Sequence, residues 1–247
     1  MLTEVLFPEV ANLYGDLENI DFIKRAVPQM EIVNDSLVEE PYFVKNVPDL
    51  IYMGSMTESA QLLIIEKLQP YTDRINELIN KGVHFLITGN AIEIFGKRII
   101  KEDKSEIPCL GIFNTFAETD MVHRFNSLYL GSCISESVPL DAIGDIVGYK
   151  SQFTHSYWED SCIDDYVFFT KRGPGLNPEI KEEGIRRNNF LGTYIIGPIL
   201  VLNPYFTKWF LEDIGIKEFS IPFEKEAIEA YKVRLEEYSN PNTGFYY

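Results

Sequence analysis

The chain has no uninterrupted apolar run approaching the ~18 residues that a membrane-spanning helix requires. Its opening residues, MLTEVLFPEV, carry an acid at Glu4 and no basic group, unlike a secretory leader, so a cytoplasmic location is expected. Cysteine is scarce. Cys109, Cys133 and Cys162 are odd in number and lack any C-x-x-C spacing, which speaks against a disulfide framework and a thiolate zinc site; reduced, semi-buried thiols are expected. Histidine is equally sparse, and His84, His123 and His155 share no metal-ligand spacing, so neither a metal nor another cofactor is expected. Basic residues are in deficit, 22 Lys and Arg against 38 Asp and Glu, a formal net charge of −16. Such a charge repels a nucleic-acid backbone or an anionic membrane. A basic partner surface suits it, and so does a solubilising role on exposed helix faces. Internal repeats, low-complexity tracts and interdomain linkers are missing too, which predicts a single domain over 1–247.

The chain does have apolar content, 45% of residues, enough for a substantial core. Its organising stretch is Val83 to Gly96, VHFLITGNAIEIFG, where a short apolar run breaks at Gly89-Asn90-Ala91 and resumes with helical spacing at Ile92 and Phe95. Strand, sharp turn and helix in that order form a nucleophile elbow, which lifts one side chain clear at the strand's end and aims it at a helix N-terminus. The tip here is Gly89, which offers no nucleophile but occupies a positive-φ turn with least strain. A left-handed Gly89 after about the fifth strand is predicted.

Earlier in the chain, Val5 to Phe7, Ile32-Val33 and Leu50 to Met53 read as strands, with a helix capped near Asn19 that turns Phe22 and Ile23 inward. Ser59 to Leu68 and Thr72 to Lys81 read as helices, the second closed by Gly82. After the elbow, Ile107 to Phe113, Val122 to Ile134, Ile146 to Trp158 and Val167 to Thr170 read as β segments, and Arg172 to Pro178 as a turn-rich loop. A strand at Thr193 to Ile196, a helix of about ten residues from Pro204 and an acidic helix from Glu224 to Tyr238 complete the chain.

Four motifs, in order and at compatible spacings, carry a resemblance to the class I glutamine amidotransferases of the cobyric acid synthase type, and within them to the amidotransferase subunits of lipid II isoglutaminyl synthases. Leu13-Tyr14-Gly15-Asp16 to Asn19-Ile20 is similar to the family's L-Y-G-D-x-x-N-I, and Gly54 to Gln61, GSMTESAQ, to its G-G-G-x-D-x-x-Q. Leu86 to Gly96 aligns without a gap with L-A-I-C-G-G-Y-Q-L-L-G, which sets the family Cys on Gly89 and a family Gln on Glu93. Gly192 to Leu200 and Asn203-Pro204 resemble G-T-Y-x-H-G-P-x-L-x-x-N-P, with the family's catalytic His at Ile196. The resemblance implies a flavodoxin-like α/β fold with a mainly parallel central sheet flanked by helices and an additional antiparallel β segment.

In such amidotransferases a cysteine thiolate attacks glutamine, and a histidine accepts the thiol proton and returns it to the leaving ammonia. With Gly89 and Ile196 in those places neither step has an agent, and Gln152 falls where a family G-F-E-N-H segment has its His. Thr88 should point to the opposite strand face, while Cys109 and Cys133 sit in strand-like surroundings that do not activate a thiol. The pocket residues implied are Gly54, Ser55, Asn90, Glu93, Arg124 and Gln152. The Gly54-Ser55 loop would offer backbone N–H groups as an oxyanion hole does, or serve as a plain strand-to-helix turn; Arg124 would clamp a carboxylate, or face solvent. Glu58 and Gln61 are expected to cap and pack their helix. The family's subunits work beside an ATP-dependent ligase, Mur-ligase-like in the lipid II enzyme, so a non-catalytic docking or regulatory subunit is one expectation. An active glutaminase with another nucleophile and a sensor of a glutamine-like small molecule are its rivals.

Overall fold

The computed structural model describes residues 1–135, 143–159 and 166–246; Cys162 lies outside them. Strands β1 (Leu2–Val5), β2 (Glu31–Asn34), β3 (Leu50–Met53) and β4 (His84–Thr88) are parallel neighbours in the order β2-β1-β3-β4. Strand β14 (Phe190–Thr193) adds parallel to β4, and β13 (Ile185–Arg187) closes the sheet antiparallel to β14. Chain direction across the sheet reverses between β1 and β3, the switch point of a flavodoxin-like winding, and ligands of such sheets bind beyond the strands' carboxyl ends.

The central strands β3 and β4 are buried on both faces, which is why they read as largely apolar runs. Ile51, Met53, Phe85 and Ile87 face one core with α2 (Glu58–Leu68) and α3 (Thr72–Asn80), whose Ile64, Leu68, Ile75, Leu78 and Ile79 recur at helical spacing. The alternate residues Leu50, Tyr52, Leu86 and Leu191 face a second core with α1 (Glu18–Ala26) and the helix Pro204–Asp213. Full burial of each such side chain contributes about 1.5–3 kcal/mol.

The intervening chain builds two small sheets over the strand ends. One holds β5 (Arg98–Ile100), β6 (Glu106–Pro108), β7 (Thr115–Thr119) and β10 (Thr154–Trp158). The other holds β8 (Phe125–Cys133), β9 (Asp145–Gln152), β11 (Phe168–Arg172) and β12 (Glu182–Glu183). Most of these pairs are antiparallel, but β5 and β7 run parallel.

Several elements differ from the sequence expectation. The first strand ends at Val5, because Phe7 takes a left-handed φ of 53°. Asn19 lies inside α1 rather than capping it, and its amide carbonyl accepts from the Leu200 N–H. The run Ile146 to Trp158 is two strands in different sheets, broken at Phe153, and only Glu106–Pro108 of the segment reaching Phe113 is strand. Ile196 lies past the end of β14, held by two backbone hydrogen bonds with Tyr149.

Candidate functional site

Gly89 follows β4, the fourth strand in chain order, with a φ of 62°. A Cβ built on it would stand 2.4 Å from the Ser55 Cβ, 3.2 Å from the Ser55 Cα and 3.4 Å from the Ile196 Cγ2. Positions 89 and 196 therefore meet, and Ser55 occupies the space a side chain at 89 would need. The segment after the tip is a 3-10 helix, Gly89–Phe95, not the α-helix expected. It stops at Gly96, where any side chain would press on Thr115 at 2.8 Å, and the chain enters β5 at once. A single short helix of this kind supplies little dipole to activate a nucleophile.

The loop carrying Ser55 is tied down from both sides. Its N–H donates to Asp16 Oδ2 at 3.2 Å and its hydroxyl to the Leu13 carbonyl at 3.0 Å. The Met56 N–H donates to Asn90 Oδ1 at 3.0 Å, and Asn90 Nδ2 donates back to the Met56 carbonyl at 2.9 Å. Both N–H groups are thus engaged within the protein, which removes them as a ready oxyanion hole. Gly54 does not line the cavity described below; a Cβ there would meet the Ala11 carbonyl at 2.8 Å.

Asp16, from the first motif, is the buried post of this arrangement. It accepts from Thr88 Oγ1 as well as Ser55, its carbonyl accepts from the Tyr52 hydroxyl at 2.6 Å, and Asn19 Nδ2 reaches its Oδ1 at 3.2 Å. Burial pushes its carboxyl up to about 6 despite the Thr88, Ser55 and Tyr52 donors. Thr88 accordingly faces away from the pocket and spends its hydroxyl on Asp16.

On the pocket side, Glu93 is 3% exposed and takes three donors. Gln61 Nε2 bonds its Oε2 at 2.9 Å, the Tyr194 hydroxyl its Oε1 at 2.9 Å, and the Thr154 hydroxyl also reaches Oε1. Burial outweighs these bonds and raises its carboxyl to about 7. Gln61 also donates to the Asn90 carbonyl at 2.9 Å, so it joins α2 to the elbow, while the cap of α2 is Thr57 rather than Glu58. Gln152 ends β9 with Nε2 bonded to the Thr154 and Leu176 carbonyls, and its buried Oε1 has no hydrogen-bond partner among the described residues.

Ser55, Asn90, Glu93 and Gln152 line one cavity of about 520 Å³, together with Gly89 and Ile196. Its walls are the N-terminal part of α2, the turn after β5 and the β9–β10 crossover, and Tyr14 reaches Ser151 across the rim at 3.1 Å. Arg124 is not part of it: the residue is exposed and its guanidinium stacks on Phe153, 5.3 Å from the ring centre, so the carboxylate clamp is withdrawn. Burial raises the Cys109 thiol to about 12 and the Cys133 thiol to about 11, the reverse of what a nucleophile needs. Among the described residues no group of three His, Cys, Asp or Glu is placed to hold a metal, and no helix is long and apolar enough to cross a membrane.

Sequence reasoning overlooked Asp16, Tyr52, Thr154 and Tyr194 as site residues. The L-Y-G-D match contained Asp16, and Tyr194 sat inside the last motif, so the signal was present without a role attached to it.

No protein-family model matches the chain. The lipid II isoglutaminyl synthase (glutamine-hydrolyzing) subunit GatD of Staphylococcus aureus is 30% identical over 220 residues, 88% of this chain and 85% of that protein. The protein of the same name from Streptococcus pneumoniae is 24% identical over 210 residues, 80% of this chain and 74% of its own. A solved glutamine amidotransferase superposes with a TM-score of 0.54 at 13% identity, covering 86% of this chain and 98% of that one, a likeness of fold. With a flavodoxin-like sheet, an elbow after β4 and this identity along most of both chains, the protein belongs to the family of the GatD glutamine amidotransferase subunits.

Proposed function

We propose that this chain is a non-catalytic glutamine amidotransferase subunit, a docking or regulatory partner of an ATP-dependent, Mur-ligase-like amidating ligase. The observation that carries the reading is the exchange across one contact. Where the family motifs have Gly in the loop and Cys at the tip, this chain has Ser55 and Gly89, and the two positions are too close for both to carry a Cβ. Simple loss of a cysteine would leave a hole; here the loop side chain has taken the space.

Further observations support it. Ile196 offers no base, the Ser55 hydroxyl is committed to the Leu13 carbonyl, and the neighbouring N–H groups are bonded. Loss of nucleophile or base in comparable triads removes most of a rate enhancement of order 10⁶. The purified protein is therefore expected to release no glutamate from glutamine above background, alone or with its ligase. Turnover that disappears on substituting Cys109, Cys133 or Cys162 would defeat the reading.

A further inference from the structure

The cavity of about 520 Å³ is within the range of ~300–1,000 Å³ that encloses drug-sized ligands, so filling of the nucleophile's place has not closed the pocket. Its floor has spent its donors. Gln61 Nε2 gives to the Asn90 carbonyl and Glu93, Gln152 Nε2 to the Thr154 and Leu176 carbonyls, the Thr154 hydroxyl to Glu93, and Asn90 Nδ2 to the Met56 carbonyl. Acceptors are left over. Among the described residues, the buried Gln152 Oε1 has no partner and Glu93 Oε2 accepts a single bond.

Charge runs the same way. Among the described residues the lining acids are Glu58, Glu93, Glu102 and Asp103, and the one lining cation is Lys101. A carboxylate ligand such as glutamine would meet that field with Arg124 turned away on Phe153. A cation with hydrogens to give complements both the field and the spare acceptors.

We propose that this cavity binds an organic ammonium, a primary amine on a partly apolar body. Its charged head seats toward Glu93 and Gln152, and its body lies against Met56, Leu62, Ile99, Phe153 and Ile196. The proposal goes beyond the loss of glutamine hydrolysis and stands or falls separately from it, because binding is read without any turnover.

Hexylamine, hexanol and hexanoate, equal in length and different in head group, serve as probes in calorimetry and ligand-observed NMR at about pH 8, with free glutamine as a fourth. Hexylamine is expected to bind at least about tenfold more tightly than the other three. Leu62→Trp, on a half-exposed helix position at the cavity wall, is expected to remove binding by filling the space. Glu93→Gln should weaken hexylamine about tenfold while leaving hexanol unchanged. Hexanoate or glutamine binding as tightly as hexylamine would overturn the proposal, as would hexylamine binding that survives Leu62→Trp, or no hexylamine binding at millimolar concentration. The contrast between head groups is read on the native protein and decides the matter even where a variant fails to fold.

Discussion

At position 89 a left-handed backbone and the Ser55 side chain compete with any added Cβ. Gly89→Cys should cost about 1–3 kcal/mol from overpacking, and a non-glycine φ of this kind adds strain of the same order. Ser55→Gly in the same chain removes the 2.4 Å clash, so the double substitution should be more stable than Gly89→Cys alone by at least about 1 kcal/mol. Denaturant melts of the four-member cycle measure this; additive effects would mean the two positions are not in conflict. Glu93 presents the other residue-level conflict, a carboxylate where the family motif has Gln. Its folded value, about 7, lies above its ordinary 4.5, so the folded chain holds this proton more tightly than the unfolded chain. The stability it contributes is fully present below about pH 4.5 and is lost as pH rises to about 7, by about 3 kcal/mol. Asp16, raised by burial to about 6, acts in the same direction and persists in a Glu93→Gln variant. The variant should therefore lose less stability than the native chain between about pH 5 and pH 8, and equal losses would refute the assignment to Glu93.

Between elements, a fully buried polar tie joins Lys150 on β9 to Glu183 on β12. Their 2.5 Å contact is completed by the Gly175 carbonyl on the lysine, at 2.6 Å, and by the Thr193 hydroxyl and Tyr194 N–H on Glu183. The pair thus locks a small sheet to the end of β14, beside the Ile196 segment. Burial draws the lysine below its ordinary value while Glu183 opposes it, so removing one partner strands a charge. Lys150→Met is expected to cost about 3–5 kcal/mol, and adding Glu183→Gln, which keeps an acceptor for Thr193 and Tyr194, should recover more than half of it by chemical denaturation. If the double substitution is as unstable as the single, the cost is packing rather than charge. This tie was invisible in the sequence, since 33 residues separate the partners and Lys150 sits in the weakly matched Gly148–Gln152 segment with no role attached to it. Leu50–Met53, α2, α3 and the turn at Gly89 were legible because both-face burial and helical spacing write themselves into short windows. The three-residue β5 and the break at Phe153 were not, because pairing across sheets, not local pattern, decides them.

For the molecule as a whole, the winding order and the position of the elbow were legible from motif order, whereas the direction of Arg124 and the engagement of the loop N–H groups depend on contacts far apart in sequence. The chain carries a net charge of −16, and Ser55 stands in the space that a side chain at position 89 would need. A basic face on a ligase would be attracted to it, and that attraction falls with ionic strength as the screening length shrinks from about 10 Å at 0.1 M salt to about 3 Å at 1 M. In the proposed docking role, a complex with the ligase is therefore expected to loosen at high salt. A sharper consequence concerns nitrogen. An amidating ligase consumes ammonia, and in the proposed docking role this chain releases none from glutamine, which leaves free ammonium as the donor. Assayed as the intact complex with ATP and the ligase's acid substrate, amide formation should rise with ammonium concentration and stay at background with glutamine alone. Omitting this subunit should then lower the rate or the stability of the ligase without changing which nitrogen source is used. Efficient glutamine-supported amidation by the complex, abolished when this subunit is left out, would show that the chain hydrolyses glutamine by groups other than positions 89 and 196 and would end the docking interpretation.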